Sequence, residues 1–166
     1  MGENMNKENI IDILKSKNIW FELEEHRAVF NMDDLNDLNL KYKDRDAKNI
    51  FVRDDKKLNY YLITIKGNKK IDLKQFRKDF NTRNLSFASS EDLMDILKLI
   101  PGSVSPLGLL NDEKLKVRFF IDKYFLSDNG IIGIHPNENT ATLWIKTEDL
   151  IEIVKIHGTK VDIINV

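Results

Sequence analysis

AKNIFVRDDKKLNYYLITI, residues 47–65, is the stretch whose reading decides the fold. Ala47 to Val52 and Tyr60 to Ile65 are runs rich in β-branched and aromatic side chains, which suit a pleated, half-buried surface. The polar Arg53-Asp54-Asp55-Lys56-Lys57 between them predicts a hairpin connection. Downstream, Gly67-Asn68 signals a turn, and the apolar period then changes. Leu73, Phe76 and Phe80 share one side of a helix predicted over Asp72 to Phe80. Paired strands followed by a helix, rather than regular βαβ alternation, predict an α+β fold.

Working outward, Ile10, Ile11, Ile13 and Leu14 place an apolar face on a first helix ending near Asn18. Trp20 to Glu25 alternates as a half-exposed strand, and Asn31 is placed to cap a short helix from Asp33 to Leu40. After a short strand, Leu85 to Ala88, Ser89 or Ser90 caps a helix whose core face is Leu93, Ile96, Leu97 and Ile100. Pro101-Gly102 stops it, and a long connection of mostly small residues runs to Asp112. Strands are predicted over Lys116 to Asp122, Gly130 to His135 and Thr140 to Lys146. Thr147 is expected to cap a helix from Glu148 to His157 that Gly158 ends, before a last strand, Val161 to Val166. The expected architecture is a mixed, largely antiparallel, barrel-like sheet flanked by helices.

Length and composition bound the function. A chain of 166 residues, 42 % hydrophobic and 32 % charged, with no Gly/Ser/Pro-rich linker, predicts a single domain over residues 1–166. The absence of cysteine excludes disulfides, thiolate metal ligands and a thiol nucleophile. Met1 to Asn9 has no apolar signal core, and no apolar run approaches the roughly 18 residues that span a bilayer. A soluble, cytoplasmic protein without membrane association is expected. The formal net charge of −1 argues against a polyanion partner only on average. Residues 41–83 carry 14 basic and 6 acidic side chains. This block includes Lys74, Arg77 and Lys78 on one predicted helix, where a phosphate backbone could lie.

The three histidines sit in different settings. His157 stands in the last turn of a helix, where an imidazole suits the negative dipole end. His26 follows an alternating strand and suits either the surface or a pocket wall. His135 ends an apolar strand and meets Pro136 and the polar cluster Asn137-Glu138-Asn139-Thr140. Their separations match no common metal spacing, so neither a metal nor a cofactor is expected. Gly102-Ser103-Val104-Ser105-Pro106 lacks the Lys and Ser or Thr of a phosphate loop. It suits either a helix-stop loop or a rigid loop that brings N–H groups close to a ligand. Lys48-Asn49 opens a strand as either a solvated edge pair or a compact cation and amide for phosphate or ribose oxygens.

Three segments taken together resemble the YbaK/ProX family of prolyl-tRNA editing domains. They are Ala47 to Asp54 with Asn59 to Leu62; Leu85 to Ser89 leading to Gly102–Asp112; and His135 to Thr142. The resemblance runs from about Trp20 to the C-terminus, and the Gly102–Asp112 segment is its most specific part. It implies a mixed barrel-like sheet with helices, and a free-standing deacylase that hydrolyses alanine wrongly attached to proline tRNA. The family's functional lysine corresponds to Lys48 with Asn49 beside it, its glycine-to-proline loop to Gly102 through Pro106, and its strand-end histidine to His135. In this reading Lys48, His135 and Gly102 serve catalysis. Asn49, Ser103, Val104, Ser105, Pro106, His26 and Asn139 contact the substrate, and Lys74, Arg77 and Lys78 contact the tRNA. The partners implied are aminoacylated proline tRNA and prolyl-tRNA synthetase. Arg27 and Asn31 stand where members often have Pro and Thr, so one pocket wall departs from the pattern. Cysteine or another small aminoacyl group as substrate, a tRNA-binding module without hydrolysis, and a protein-interaction domain are the alternatives.

Overall fold

The computed structural model describes residues 4–166, and in it the hairpin of residues 47–65 forms the middle of a five-stranded sheet. In chain order the elements are α1 (Lys7–Ser16), β1 (Phe21–Glu25), α2 (Met32–Asn36), β2 (Ala47–Asp54), β3 (Tyr60–Lys66), α3 (Leu73–Phe80), β4 (Leu85–Phe87) and α4 (Ser90–Leu97). A 3-10 helix (Pro106–Asn111) leads to β5 (Val117–Asp122), and a second one (Lys123–Leu126) to β6 (Ile131–Ile134). The chain closes with β7 (Ala141–Lys146), α5 (Thr147–His157) and β8 (Val161–Ile164).

The larger sheet has the order β4-β2-β3-β5-β8 and the smaller one β1-β7-β6. β2 pairs antiparallel with β3 and β4, whereas β3–β5 and β5–β8 are parallel. The smaller sheet is antiparallel throughout. The fold is therefore α+β with a mixed sheet, as the strand and helix patterning predicts.

Burial follows the period-2 alternation of β2. Phe51 joins the main core with Leu62, Phe119, Leu143 and residues of α1, α4 and α5. Ile50 and Val52 face the other way, against α3. Phe76 anchors α3 there, with ring centroids 4.7 Å from both Phe80 and Phe120. Burying each such side chain contributes about 1.5–3 kcal/mol.

The two sheets meet at one corner. Gly133 donates its N–H to the Arg45 carbonyl at 2.8 Å, and Asp46 and Gly133 form a parallel bridge. The buried Arg45 guanidinium donates to the carbonyls of Ile131 (2.8 Å), Phe125 (3.2 Å) and Ser127 (3.1 Å), and lies 4.6 Å from the Tyr124 ring. Gly133 is required for a steric reason: a Cβ there would lie 2.3 Å from the ring of fully buried Trp144.

Several local expectations change. α2 covers only Met32–Asn36, because Asn31 caps it but the following Asn36, Asp37 and Asn39 are weak helix formers. α4 ends at Leu97 with Lys98 left-handed, so Leu99 turns inward while Ile100 is exposed. Thr147 is not a cap: its hydroxyl donates to the Phe125 carbonyl at 2.7 Å, and the cap position, Lys146, has no side-chain cap bond. The long connection after Gly102 contains a buried 3-10 helix, with Leu107 and Leu109 in the core. Ser89 does cap α4, reciprocally with Asp92.

Gly133→Ala should lower stability by about 1–3 kcal/mol through overpacking against Trp144. Denaturant unfolding with tryptophan fluorescence measures both the loss and the displaced ring; an unchanged midpoint would refute the steric account.

Candidate active site

The corner bridge brings the candidate residues together. Lys48 and His135 each lie two residues beyond the paired Asp46 and Gly133, so the parallel register delivers both to one end of the fold. There they line a recess of about 300 Å³ with Val29, Met32, Leu35, Ala47, Gly102 and Val104. A wider cleft of about 600 Å³ adjoins it and shares Lys48, Asn49, Gly102 and Val104. Beyond those shared residues the cleft is bounded by Lys70, Ile71, Phe87, Ser89, Ser90 and Pro101. β4 pairs with β2 only over Val52–Asp54, so the cleft opens along the edge of β2 that β4 leaves bare.

Lys48 and Asn49 leave β2 on opposite faces, as consecutive strand residues do, yet both line the cleft and the recess. Lys48 is on the α3 side and its ammonium donates to the Lys69 carbonyl. Burial, then the nearby Lys70, lowers its pKa below the ordinary 10.5. Lys69 itself pairs with buried Asp122 at 2.9 Å, and Asp122 also accepts from the Lys66 N–H at 3.0 Å. This carboxylate fixes the turn that carries the carbonyl holding Lys48.

Asn49 faces the other side. Its amide donates to the Val104 carbonyl at 3.2 Å and its oxygen accepts from buried Thr64 at 2.6 Å. Asn49 therefore positions the Gly102–Pro106 loop on β2.

Within that loop the serines turn inward. Ser103 donates both its N–H (3.1 Å) and its hydroxyl (2.9 Å) to the Ile100 carbonyl. The Ser105 hydroxyl accepts from the Leu107 N–H at 3.1 Å, and Pro106 opens the 3-10 helix. Gly102 and Val104 are the loop residues that line the cleft and the recess. Among the described residues no partner occupies the N–H of Gly102 or Val104. Gly102 has φ +91°, and a Cβ there would lie 3.3 Å from the Phe30 ring. Only glycine accepts that backbone without strain.

His135 is half-buried, and its Nδ1 donates to the Ala141 carbonyl at 3.2 Å. This tautomer leaves Nε2 as an acceptor. Burial is the main cause lowering its pKa below 6.5, aided by His26 and opposed by the Ala141 bond. At neutral pH it is an uncharged imidazole.

His26 does not line the recess. Its Nδ1 donates to the Arg27 carbonyl at 2.7 Å and its Nε2 accepts from the Thr142 hydroxyl at 2.9 Å. Asn139 likewise binds backbone: its side-chain amide donates to the Val29 carbonyl at 2.9 Å, and its main-chain carbonyl accepts the Val29 N–H at 3.1 Å. It thereby holds the wall segment that includes Val29. Lys74, Arg77 and Lys78 are exposed on α3, outside the cleft, while Lys70 just before α3 lines it.

Met32, Leu35, Lys70 and Phe87 were missed as site residues by sequence reasoning. Phe87 and Lys70 each left a trace, Phe87 within the Leu85–Ser89 segment that carries the resemblance and Lys70 within the basic block of residues 41–83. Among the described residues no helix is long and apolar enough to cross a membrane.

Comparison with known proteins identifies the family. The model of the aminoacyl-tRNA editing domain family matches residues 14–153. "Prolyl-tRNA editing protein ProX" of Acetoanaerobium sticklandii is 37 % identical over 152 residues, covering 92 % of each chain. "Prolyl-tRNA synthetase associated domain-containing protein 1" of Mus musculus is 32 % identical over 147 residues, covering 87 % of this chain and 86 % of that one. A crystal structure described as a trans-editing enzyme for prolyl tRNA synthetase superposes with TM-score 0.72 at 14 % identity, covering 99 % of both chains, a likeness in fold. The chain belongs to the aminoacyl-tRNA editing domain family.

Proposed function

We propose that this protein is a hydrolase that removes alanine from mischarged proline tRNA. The observation that carries this reading is the pair of adjoining spaces with Lys48, Gly102 and Val104 at their junction and His135 in the smaller one. An aminoacyl-tRNA end has the same two-part shape, a nucleoside joined through an ester to a small side chain. Family membership and the printed name of the 37 %-identical relative favour the same chemistry.

Editing is needed because a synthetic site sized for proline gains only roughly 1–3 kcal/mol per methylene against a smaller amino acid. The recess supplies the second sieve. Val29, Met32, Leu35 and Val104 bound it, and Asn139 and Asn49 hold the backbones of Val29 and Val104 in place. Substrate size is thereby read by walls that are fixed at the main chain.

Hydrolysis adds water to the ester carbonyl carbon, breaks the bond to the ribose oxygen, and releases the amino acid and a free ribose hydroxyl. The ester is already activated, so no protein nucleophile is required. The N–H groups of Gly102 and Val104 receive the negative charge that develops on the carbonyl oxygen. Lys48 draws in the phosphate or ribose of the terminal nucleotide. His135 Nε2, a neutral acceptor, orients the aminoacyl end or its attacking water.

Purified enzyme should deacylate alanyl-tRNA specific for proline and leave prolyl-tRNA intact; faster turnover of the cysteinyl form would reassign the substrate. Lys48→Ala should reduce kcat/KM by about 100-fold or more, the cost typical of a lost electrostatic group. His135→Ala should also fall strongly, and near-normal rates in both folded variants would refute the site.

The deacylation rate, corrected for spontaneous hydrolysis, should be flat near pH 7. It should fall in acid through a pKa below 6.5, as His135 gains a proton and loses its acceptor. On the alkaline side it should fall below 10.5, as Lys48 loses its charge. In His135→Gln the acid limb should disappear.

Reversing Lys74, Arg77 and Lys78 to glutamate should weaken tRNA binding and flatten its salt dependence. Unchanged affinity in a filter-binding titration would make α3 an ordinary solvated face.

A further inference from the structure

We propose that Phe87 and Ile71 form the two sides of a stacking slot for the base of the RNA's 3′-terminal nucleotide. This rests on the editing reading and specifies how that substrate is held.

Phe87 is 69 % exposed at the end of β4, an edge strand of three residues. It pairs opposite Val52, so its side chain lies on the α3 face of the sheet, the face that also carries Lys48 and Ile50. On this same face Tyr61, Phe76, Phe80 and Phe120 pack ring against ring, yet among the described residues Phe87 has no aromatic partner. A solitary exposed aromatic is ordinary in itself. What distinguishes Phe87 is that it lines the wide cleft together with Ile50, Ile71, Lys48 and Lys70.

The composition of this cleft selects a ligand class. Its apolar side chains suit the faces of a planar ring. Lys48 and Lys70 have no carboxylate partner among the described residues, and they suit the phosphates that accompany a nucleotide. Ser90 supplies a hydroxyl able to meet the polar edge of a base, and Ser89, whose oxygen already accepts from the Asp92 N–H as the α4 cap, can still donate its hydroxyl proton. The exposed cations Lys74, Arg77 and Lys78 of α3 follow Lys70 along the chain and add to the positive charge of this segment. The cleft also shares Lys48, Asn49, Gly102 and Val104 with the recess. A base stacked on Phe87 thus leaves the attached ribose and its ester directed toward His135.

The test uses the trinucleotide CCA as probe, titrated into the full protein, together with the KM for alanyl-tRNA. Wild type should bind the trinucleotide saturably. Phe87→Ala should raise its Kd and the KM roughly tenfold, within the range for loss of one base–aromatic stack. Phe87→Tyr should retain wild-type affinity, and Phe87→Leu, which keeps apolar area without a ring, should resemble Phe87→Ala. Three results would overturn the slot: no saturable trinucleotide binding by wild type, an unchanged Kd in Phe87→Ala, or full rescue by Phe87→Leu. Trinucleotide binding that depends on Phe87 without deacylation of any aminoacyl-tRNA would uphold the slot and refute the editing reading. Deacylation with Kd and KM indifferent to Phe87 would do the reverse. Thermal unfolding midpoints equal to wild type establish that each variant is folded.

Discussion

The parallel bridge between Asp46 and Gly133 is the constraint on which the site depends. It joins two otherwise separate sheets and places Lys48 and His135 in register, each two residues further along. Arg45 secures the corner by collecting carbonyls from three points between Phe125 and Ile131. A buried guanidinium is costly to desolvate, and several charge-assisted hydrogen bonds are what make it tolerable. Gly133 is the steric complement, because the ring of its cross-strand partner Trp144 occupies the space a Cβ would need.

Around that corner, most polar side chains hold the backbone and leave the cleft to a few groups. Asn49, Ser103, Ser105, His26 and Asn139 all bind neighbouring main chain or a neighbouring hydroxyl. Among the described residues, the groups left to meet a ligand include the Lys48 ammonium, which spends one donor on the Lys69 carbonyl, the N–H groups of Gly102 and Val104, and His135 Nε2. Preorganisation of this kind suits hydrolysis of an activated ester, where donors fixed in advance avoid reorganisation during the reaction. The N-terminal segment contributes to the same end. Met5 donates its N–H to Asn111 at 2.8 Å and accepts from Asn137 at 2.7 Å, tying the 3-10 helix to the loop after His135.

The local basic excess also reads differently in three dimensions. Arg45 is buried, Lys69 pairs with Asp122, Arg83 with Asp55 and Lys41 with Glu22. Those charges are already paired or buried within the protein, whereas Lys70, Lys74, Arg77 and Lys78 face outward near the cleft and along α3. A segment count of charge overstates what a polyanion meets.

Strand and helix periods, caps and turn residues determined the element order, the central hairpin and the α+β class, because these depend on neighbours a few residues apart. The order of residues also marked Lys48, Gly102 and His135 as a set, through the resemblance of the segments containing them. It could not show that Asn49, which lines both spaces, also ties the Gly102–Pro106 loop to β2, or that His26 lies outside the recess. Those assignments depend on which distant backbone a side chain meets, Val104 for Asn49 and Arg27 with Thr142 for His26. The truncation of α2, the inward turn of Leu99 and the exposed ring of Phe87 were likewise decided by packing between elements. Short-range periodicity reports local geometry; only the tertiary structure, by joining the sheets at Asp46 and Gly133, decided which residues share a cleft.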